Sequence, residues 1–194
     1  MQQSIASRPG LVHAGESQLV IVDIQSRLGE GMPAKVANRV IQNAILLARS
    51  ASVCEVPVVL TEQQPAMLGS TYSDVRAAAP EGTPTVEKTS FSVQRVEAFE
   101  GIMSGHSAGR NQVILVGMEA HISILQSAID LSVAGHEVFV VEDAVCSRRL
   151  ENYQNALDRL RQNGIFVVSA ESIVFEWIRD QTHPAFAAVQ NWLR

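Results

Sequence analysis

The sequence alternates short runs that are apolar without interruption with longer stretches of helical periodicity. Five such runs begin at residues 19, 56, 112, 137 and 165, and they read LVIVDI, VPVVLTE, QVILVGM, EVFVVEDA and IFVVSA. Continuous apolar character is typical of strands buried on both faces, because a strand with one solvated face would alternate apolar and polar residues. Strand–helix–strand units with short connections favour parallel pairing and right-handed crossovers. We therefore predict an α/β fold, a doubly wound and mostly parallel sheet between two layers of helices.

The helical stretches are the second part of this pattern. Apolar residues recur at helical spacing over residues 33–55, 121–134 and 148–163. Gly135 and Gly164 directly follow two of these stretches, where a left-handed residue commonly ends a helix. No linker or repeat divides the 194 residues, a length that suits one domain. We expect a single domain over residues 1–194, with its core from about residue 17 to residue 180.

Charge and composition exclude several classes of protein. The net charge is −5, with 15 basic and 20 acidic residues, which argues against a nucleic-acid partner. No apolar run approaches the ~20 residues that span a bilayer, and the first residues lack the layout of a signal peptide. Cys54 and Cys146 lie too far apart for a zinc motif, and no glycine-rich phosphate loop is present. These observations predict a cytoplasmic protein that is not bound to membranes and takes a small-molecule partner without a cofactor.

Polar residues at the carboxyl ends of the predicted strands are the candidates for a site, since ligands of doubly wound sheets bind there. Asp23 ends the first strand, Lys88 ends the extended segment PTVEK, and the turn VGMEAHIS carries His121 and Ser123. Each also has a structural interpretation: Asp23 as a turn cap, Lys88 as a surface charge, Ser123 as a helix-start residue and His121 as a structural side chain. The turn-rich stretch 64–88 is long enough to be functional, and we expect it to cover the site.

Ordered motifs from Leu19 to Asp180 resemble the isochorismatase-like hydrolases, also called the cysteine hydrolase superfamily. LVIVDIQ, EKTSFS and VGMEAHISILQSAIDL carry the resemblance, and TEQQPAMLGST, EDAVCSR and ESIVFEWI look like its isochorismatase-domain-protein subgroup. The resemblance implies an isochorismatase-like, Rossmann-like three-layer α/β/α fold. It also implies a triad of Asp, Lys and Cys, in which the Asp takes the thiol proton, the Lys supports the charge, and the thiolate attacks a carbonyl.

Two positions of this sequence match the implied triad, and the third departs from it. Asp23 and Lys88 match, whereas Ser123 stands where triad-bearing members have cysteine. The resemblance further implies a cis peptide at Met118–Glu119 and an oxyanion hole made by the amides of Glu119 and Ser123. We count Glu119, Gln63 and His121 as substrate- or oxyanion-binding residues, since each lies at a predicted strand end or in the turn.

A serine hydroxyl is a much weaker acid than a thiol and needs a true general base, so we expect Ser123 to be a weak nucleophile. Three explanations stay open: an engineered Cys→Ser change, a member whose Asp23 acts as acid on a vinyl ether of the isochorismate type, and a small-molecule-binding protein without catalysis. The nicotinamidase branch has an Asp-x-His element where this chain reads Thr61-Glu62-Gln63, so we predict no metal site.

The predicted function is thus a metal-free hydrolase of a small amide, ester or related C–N or C–O bond. Asp23, Lys88 and Ser123 are its catalytic residues. Four aromatic residues near the carboxyl terminus exceed what one amphipathic face needs, namely Phe175, Trp177, Phe186 and Trp192. Because relatives also form dimers or larger assemblies, we expect a homodimer or a larger homo-oligomer.

Overall fold

A computed structural model describes residues 10–105 and 109–193 of the chain. Its centre is one sheet of six strands, all parallel, in the spatial order β3-β2-β1-β4-β5-β6. The strands are β1 (Ser17–Val22), β2 (Val58–Gln63), β3 (Thr85–Lys88), β4 (Gln112–Met118), β5 (Glu137–Cys146) and β6 (Phe166–Val168). The predicted α/β class and the parallel, doubly wound sheet are confirmed.

Helices cover both faces of the sheet. They are α1 (Ser26–Glu30), α2 (Ala34–Val53), α3 (Pro65–Leu68), α4 (Ser73–Ala78), α5 (Glu97–Ser104), α6 (Leu125–Val133), α7 (Leu150–Gln162), α8 (Ala170–Ile178) and α9 (Phe186–Trp192). Two of the predicted stops are confirmed, because Gly135 and Gly164 follow α6 and α7 with positive φ of 97° and 75°. Glycine adopts this conformation without the steric cost that a Cβ imposes.

Two apolar cores explain why the strands are apolar throughout. Leu19 and Ile21 of β1 pack into a core with α2, α4, α8 and α9, while Val20 and Val22 pack into a second core with α5, α6 and α7. All four side chains are at most 1% exposed. Since successive side chains of a strand point to opposite faces, a central strand between two helical layers needs apolar residues at every position.

The stretch 64–88 is more ordered than the predicted covering loop. It contains α3, α4 and the edge strand β3, because Val75 and Val86 bury their side chains in the two cores. Its first part and its last residue, Lys88, border the strand ends that carry Asp23, whereas residues 80–84 line a groove beside the amino end of β2. The prediction of a cover is therefore wrong for residues 80–84.

The carboxyl-terminal aromatic residues pack mostly within the chain. Trp177 is 3% exposed and donates its indole N–H to Ser17 Oγ at 3.1 Å, while Phe186 and Trp192 pack against the first core. Phe175 is the most exposed of the four aromatic residues, at 39%. Because α8 and α9 use these side chains to cover the sheet, the aromatic residues give no separate support for an assembly interface. Within the described ranges no helix has the length and apolarity to cross a membrane.

Candidate active site

The candidate site lies where the strand order reverses between β1 and β4, at their carboxyl ends. Asp23 follows β1 directly and has a φ of 53°, a left-handed conformation that non-glycine residues rarely adopt. Its N–H donates to the Thr61 carbonyl at 3.1 Å, and its own carbonyl accepts from the Gln25 N–H at 2.8 Å. These backbone bonds hold a strained turn at the point where doubly wound sheets bind ligands.

A buried ion pair joins Asp23 to Lys88. Lys88 Nζ lies 2.6 Å from Asp23 Oδ2, and their side chains are 0% and 1% exposed. The same Nζ also donates to Gln63 Oε1 at 2.8 Å and to the carbonyls of Phe91 at 3.2 Å and Ser90 at 3.3 Å. All four neighbours are acceptors, which suits an ammonium with three protons better than an amine with two. Lys88 is therefore the cation that compensates the Asp23 carboxylate.

Two effects act in opposite directions on Lys88. Burial lowers the pKa of the Lys88 ammonium below its ordinary value, because the charged form loses its hydration. The charge of Asp23 and its hydrogen bond raise that pKa and so offset part of the burial effect. The four acceptors around Nζ hold the ammonium in place despite its cost of burial.

Polar side chains of β2 and of the residues that follow β1 form a network behind this ion pair. Thr61 Oγ1 donates to Asp23 Oδ1 at 2.7 Å, so both oxygens of that carboxylate accept hydrogen bonds. Gln63 Nε2 donates to the Thr89 carbonyl at 2.8 Å, which leaves its Oε1 facing Lys88. Gln25 Oε1 in turn accepts from the Gln63 N–H at 2.8 Å. The network fixes the positions of the carboxylate and the ammonium.

The turn after β4 brings Ser123 to the same edge of the sheet. The Met118–Glu119 peptide bond is cis, and residues Ala120–Ile124 form one π-helical turn that leads into α6. Short π-helical segments occur frequently at functional sites. The Glu119 carboxylate accepts from Arg148 Nε at 3.1 Å and from the Arg148 N–H at 2.9 Å, so this turn is tied to the end of β5.

Gly117 allows β4 to pass close to β1 just before this turn. Its φ is 131°, and a Cβ at this position would lie 1.8 Å from the carbonyl oxygen of Val22. No side chain larger than hydrogen fits there without moving the backbone of either strand. The close approach fixes the turn of Glu119 relative to Asp23.

One small cavity collects the predicted site residues, and its volume is about 70 Å³. Its lining is Asp23, Leu28, Gln63, Leu68, Phe91, Met118, Glu119, Ile122 and Ser123. Four of the six predicted residues are therefore in the wall of one cavity. Lys88 lies directly behind Asp23 and Gln63 rather than in the wall. The chemical roles of these residues stay predictions.

His121 is the predicted residue that the structure places elsewhere. Its Nδ1 lies 2.9 Å from Ser147 Oγ, and its Nε2 lies 3.3 Å from Asn152 Nδ2. It is not in the wall of the cavity that holds Ser123. Residues two apart on a helical turn point in different directions, so His121 cannot share the orientation of Ser123. Its contacts link the turn to the start of α7 and fit the structural interpretation.

A larger groove of about 280 Å³ lies at the opposite end of the sheet, beside Val56, Pro57 and Val58. Its ionisable lining residues are the exposed Glu55 and Glu81, and no described residue of its wall is a cation that could accompany the hydroxyls of Ser52 and Thr83. The smaller cavity is therefore the candidate active site on chemical grounds.

Neither cysteine is placed to act as a nucleophile. Burial raises the pKa of the Cys146 thiol to about 12, with a further contribution from the nearby Glu119 carboxylate. Burial also raises the pKa of the half-buried Cys54 thiol. Within residues 10–105 and 109–193, no three His, Cys, Asp or Glu side chains are grouped so that they could hold a metal ion.

Several residues of the site were absent from the sequence-based prediction. Thr61 binds Asp23, and Leu28, Leu68 and Phe91 form apolar walls. Thr61 had a detectable signal, since it is a polar residue inside an otherwise apolar strand. The apolar wall residues had none, because their sequence context does not differ from that of ordinary surface turns.

Comparisons with known proteins show the family to which this chain is related. A family model described as "Isochorismatase domain" matches residues 17–172. Isochorismatase domain-containing protein 2 of Bos taurus is 35% identical over 97% of this chain and 89% of its own.

Solved structures resemble the whole fold. The structure of MAR1 ribonuclease from Caenorhabditis elegans has a TM-score of 0.88 and 30% identity, covering 94% of this chain and 92% of that one. The YcaC gene product of Escherichia coli, described as an octameric hydrolase of unknown specificity, has a TM-score of 0.84 at 21% identity. The match covers 97% of this chain and 91% of that one. The second likeness is one of fold alone.

Proposed function

This chain belongs to the isochorismatase family, and from that premise we propose that it is a metal-free hydrolase of a small amide, ester or related C–N or C–O bond. The observation that carries the proposal is the buried Asp23–Lys88 pair behind a cavity whose wall also contains Ser123. The Asp23 carboxylate is paired with the Lys88 cation and shares a cavity with the Ser123 hydroxyl, at the point where the strand order reverses. This combination supports acyl transfer better than a purely structural role.

In this mechanism Ser123 Oγ attacks the carbonyl carbon of the substrate while its proton passes to Asp23. The backbone amides of Glu119 and Ser123 stabilise the oxyanion that develops on the carbonyl oxygen. The proton then moves from Asp23 to the departing nitrogen or oxygen, which leaves an ester between Ser123 and the acyl group. A water molecule, deprotonated by Asp23, hydrolyses that ester and restores the hydroxyl.

The contacts of Lys88 and Asp23 support this division of roles. Lys88 Nζ donates to four acceptors, so it stabilises charge and does not accept the proton of Ser123. Both oxygens of Asp23 accept hydrogen bonds, one from Thr61 and one from Lys88. Both oxygens are thus engaged as acceptors, and this arrangement supports Asp23 as a base over Asp23 as the acid of a vinyl-ether hydrolase.

A hydroxyl at position 123 limits the rate of this chemistry. The acidity of an alcohol lies far below that of a thiol, so the carboxylate of Asp23 removes its proton only in small measure. We expect slow acylation of Ser123, although the proposed base Asp23 and the stabilising cation Lys88 are both in place. A thiol introduced at this position would meet the environment that the family uses for cysteine.

The test is therefore the Ser123→Cys variant treated with iodoacetamide near neutral pH. We expect the new thiol to react at least about tenfold faster than Cys54, because Asp23 can accept its proton and the helical turn favours a thiolate. Adding Asp23→Asn to this variant should remove most of the advantage, while the unaltered chain serves as the matched control for Cys54 and Cys146. A new thiol no faster than Cys54 would contradict the proposed site, and binding without turnover in all variants would favour a non-catalytic protein.

We also propose that the chain forms a homodimer or larger homo-oligomer and that it acts in the cytoplasm on a small molecule. Exposed apolar side chains support the assembly, among them Met67 at 66%, Leu150 at 63% and Val133 at 84%. The octameric Escherichia coli protein of the same fold provides a second line of support. Both cysteines are free thiols, which suits a reducing compartment.

A further inference from the structure

We infer that the cavity at Ser123 selects substrates that are neutral around the scissile bond and excludes those that carry a carboxylate there. The inference rests on the proposed function and deepens it by naming a substrate class. Its basis is the charge balance of the cavity. Both carboxylates of the wall are already paired with cations, and the wall residues that the structure describes include no further cation for a ligand.

The first carboxylate is that of Asp23, and the ammonium of its partner Lys88 already donates all its protons to neighbouring acceptors. Lys88 Nζ donates to Asp23 Oδ2, Gln63 Oε1 and two backbone carbonyls, so no proton of the ammonium is left for a ligand. Lys88 also lies behind Asp23 and Gln63, outside the cavity wall. An anionic substrate would therefore meet the carboxylate of Asp23 before it met the ammonium.

The second carboxylate is Glu119, which is 4% exposed. Its partner Arg148 is not among the residues that line the cavity at Ser123, and it lines instead a separate cavity of about 120 Å³ with Cys146 and Tyr153. Arg148 is thus engaged by Glu119 and directed into different surroundings. The remaining described residues of the wall around Ser123 carry no positive charge.

Apolar side chains complete the wall and set the size of the group that fits. Leu28, Leu68, Phe91, Met118 and Ile122 surround the polar edge that Asp23, Gln63 and Ser123 form. A volume of about 70 Å³ holds only a few non-hydrogen atoms. An engineered apolar cavity of ~150 Å³ takes one benzene. The group nearest to the scissile bond is therefore a short, uncharged one.

Phe91 is the specificity-determining side chain in this arrangement. Its backbone carbonyl accepts from Lys88 Nζ, while its half-exposed ring forms one wall of the cavity. The ammonium that compensates Asp23 therefore also positions the apolar wall. A carboxylate placed against this ring would lose its hydration without gaining a partner, which is costly in an apolar environment.

Two reagents that differ only in charge test the inference on the Ser123→Cys variant. Iodoacetamide is neutral and iodoacetate carries a carboxylate, and both alkylate a thiolate by the same displacement. We expect the ratio of their rate constants at position 123 to exceed the ratio measured for Cys54 and for free glutathione by at least about tenfold. Peptide mass spectrometry resolves the labelled positions in one sample.

A cation added to the wall should reverse the preference. Leu68→Lys, combined with Ser123→Cys, should bring the ratio at position 123 back to that of glutathione, while the matched Leu68→Met change should leave it high. A ratio at position 123 equal to that of Cys54 would overturn this inference and leave the proposed function standing. A thiol at position 123 that reacts with neither reagent would overturn both.

Discussion

Lys88 Nζ lies 2.6 Å from Asp23 Oδ2 at the carboxyl ends of β3 and β1, and neither side chain exceeds 1% exposure. The strand β2 separates these two strands in the sheet, so the ion pair spans its end. Such a pair gains Coulomb energy but loses the hydration of two charges, and it is therefore weak evidence for stability. Its position behind the cavity is the reason why we propose a chemical role for it.

Removing the cation alone should destabilise the protein strongly. Lys88→Met leaves the Asp23 carboxylate buried without compensation, and we expect a loss of about 3–5 kcal/mol in the free energy of unfolding. Urea titrations at neutral pH measure this loss.

The double variant Asp23→Asn with Lys88→Met is the matched control for this prediction. It removes both charges, so it should recover most of the stability that Lys88→Met loses. When Ser123→Cys is added to this double variant, the new thiol should not be activated. Equal stabilities for Lys88→Met and the double variant would show that the two charges do not compensate each other.

The close approach of β4 and β1 predicts a large effect at one glycine. Gly117→Ala places a Cβ against the Val22 carbonyl and keeps a φ of 131°, so we expect a loss above about 3 kcal/mol. Gly135→Ala is the control, since its φ is 97° but no atom lies within 4 Å of the added Cβ. It should cost about 1 kcal/mol. Similar losses in thermal unfolding for the two variants would contradict the steric account.

The two native thiols should be poor nucleophiles, with Cys146 the poorer. A thiol pKa of about 12 leaves about one molecule in ten thousand as thiolate near pH 8, and Cys146 is also 1% exposed. We expect alkylation of Cys54 to precede that of Cys146 at every pH below about 10. Folded-state labelling followed by peptide mapping gives the order, and labelling after denaturation should abolish the difference. Rapid reaction of Cys146 in the folded chain would refute this prediction.

Ribonuclease activity is not expected, although a solved structure of similar fold carries that name. The net charge of −5 opposes the binding of a polyanion, and a cavity of about 70 Å³ is small for a nucleotide. Fluorescence anisotropy with a labelled RNA oligonucleotide at low salt should show no binding. Binding that weakens steeply with added salt would overturn the expectation.

An assembly should be measurable directly by light scattering. The mass of one chain is 21.1 kDa, and we expect at least twice that mass at micromolar concentration. Met67→Lys and Val133→Lys test two exposed apolar positions, and the change that lies in the interface should lower the mass without altering the unfolding midpoint. A monomeric mass for the unaltered chain would reject the proposed homo-oligomer.

Sequence pattern alone was sufficient for the architecture. Apolar runs place the central strands, and the structure differs from them mainly at the ends, as in β1, which ends at Val22, one residue before Asp23. The pattern succeeds because a strand that is buried on both faces needs an apolar residue at each position, and this requirement is visible in the local sequence. The short edge strand β3 was predicted only as an extended segment, since four residues with one partner strand carry a weak signal.

The composition of the site depended on contacts that no local pattern contains. Lys88 meets Asp23 across 65 positions of the chain, and Thr61 meets it across 38. The register of parallel strands decides such meetings, and register is set by the packing of the whole sheet. His121 and Ser123 are two residues apart, yet only Ser123 faces the cavity, because a helical turn directs them differently.

The sequence by itself therefore determined the class of fold, the strand ends where a site belongs and the residue type at position 123. Only the tertiary structure decided that Lys88 is hidden behind Asp23, that Arg148 turns away from the cavity, and that Trp177 serves the core. The physical reason is the range of the forces involved. The periodicity of buried residues depends on near neighbours in sequence. The pairing of charges and the closure of a cavity depend on residues that only folding brings together.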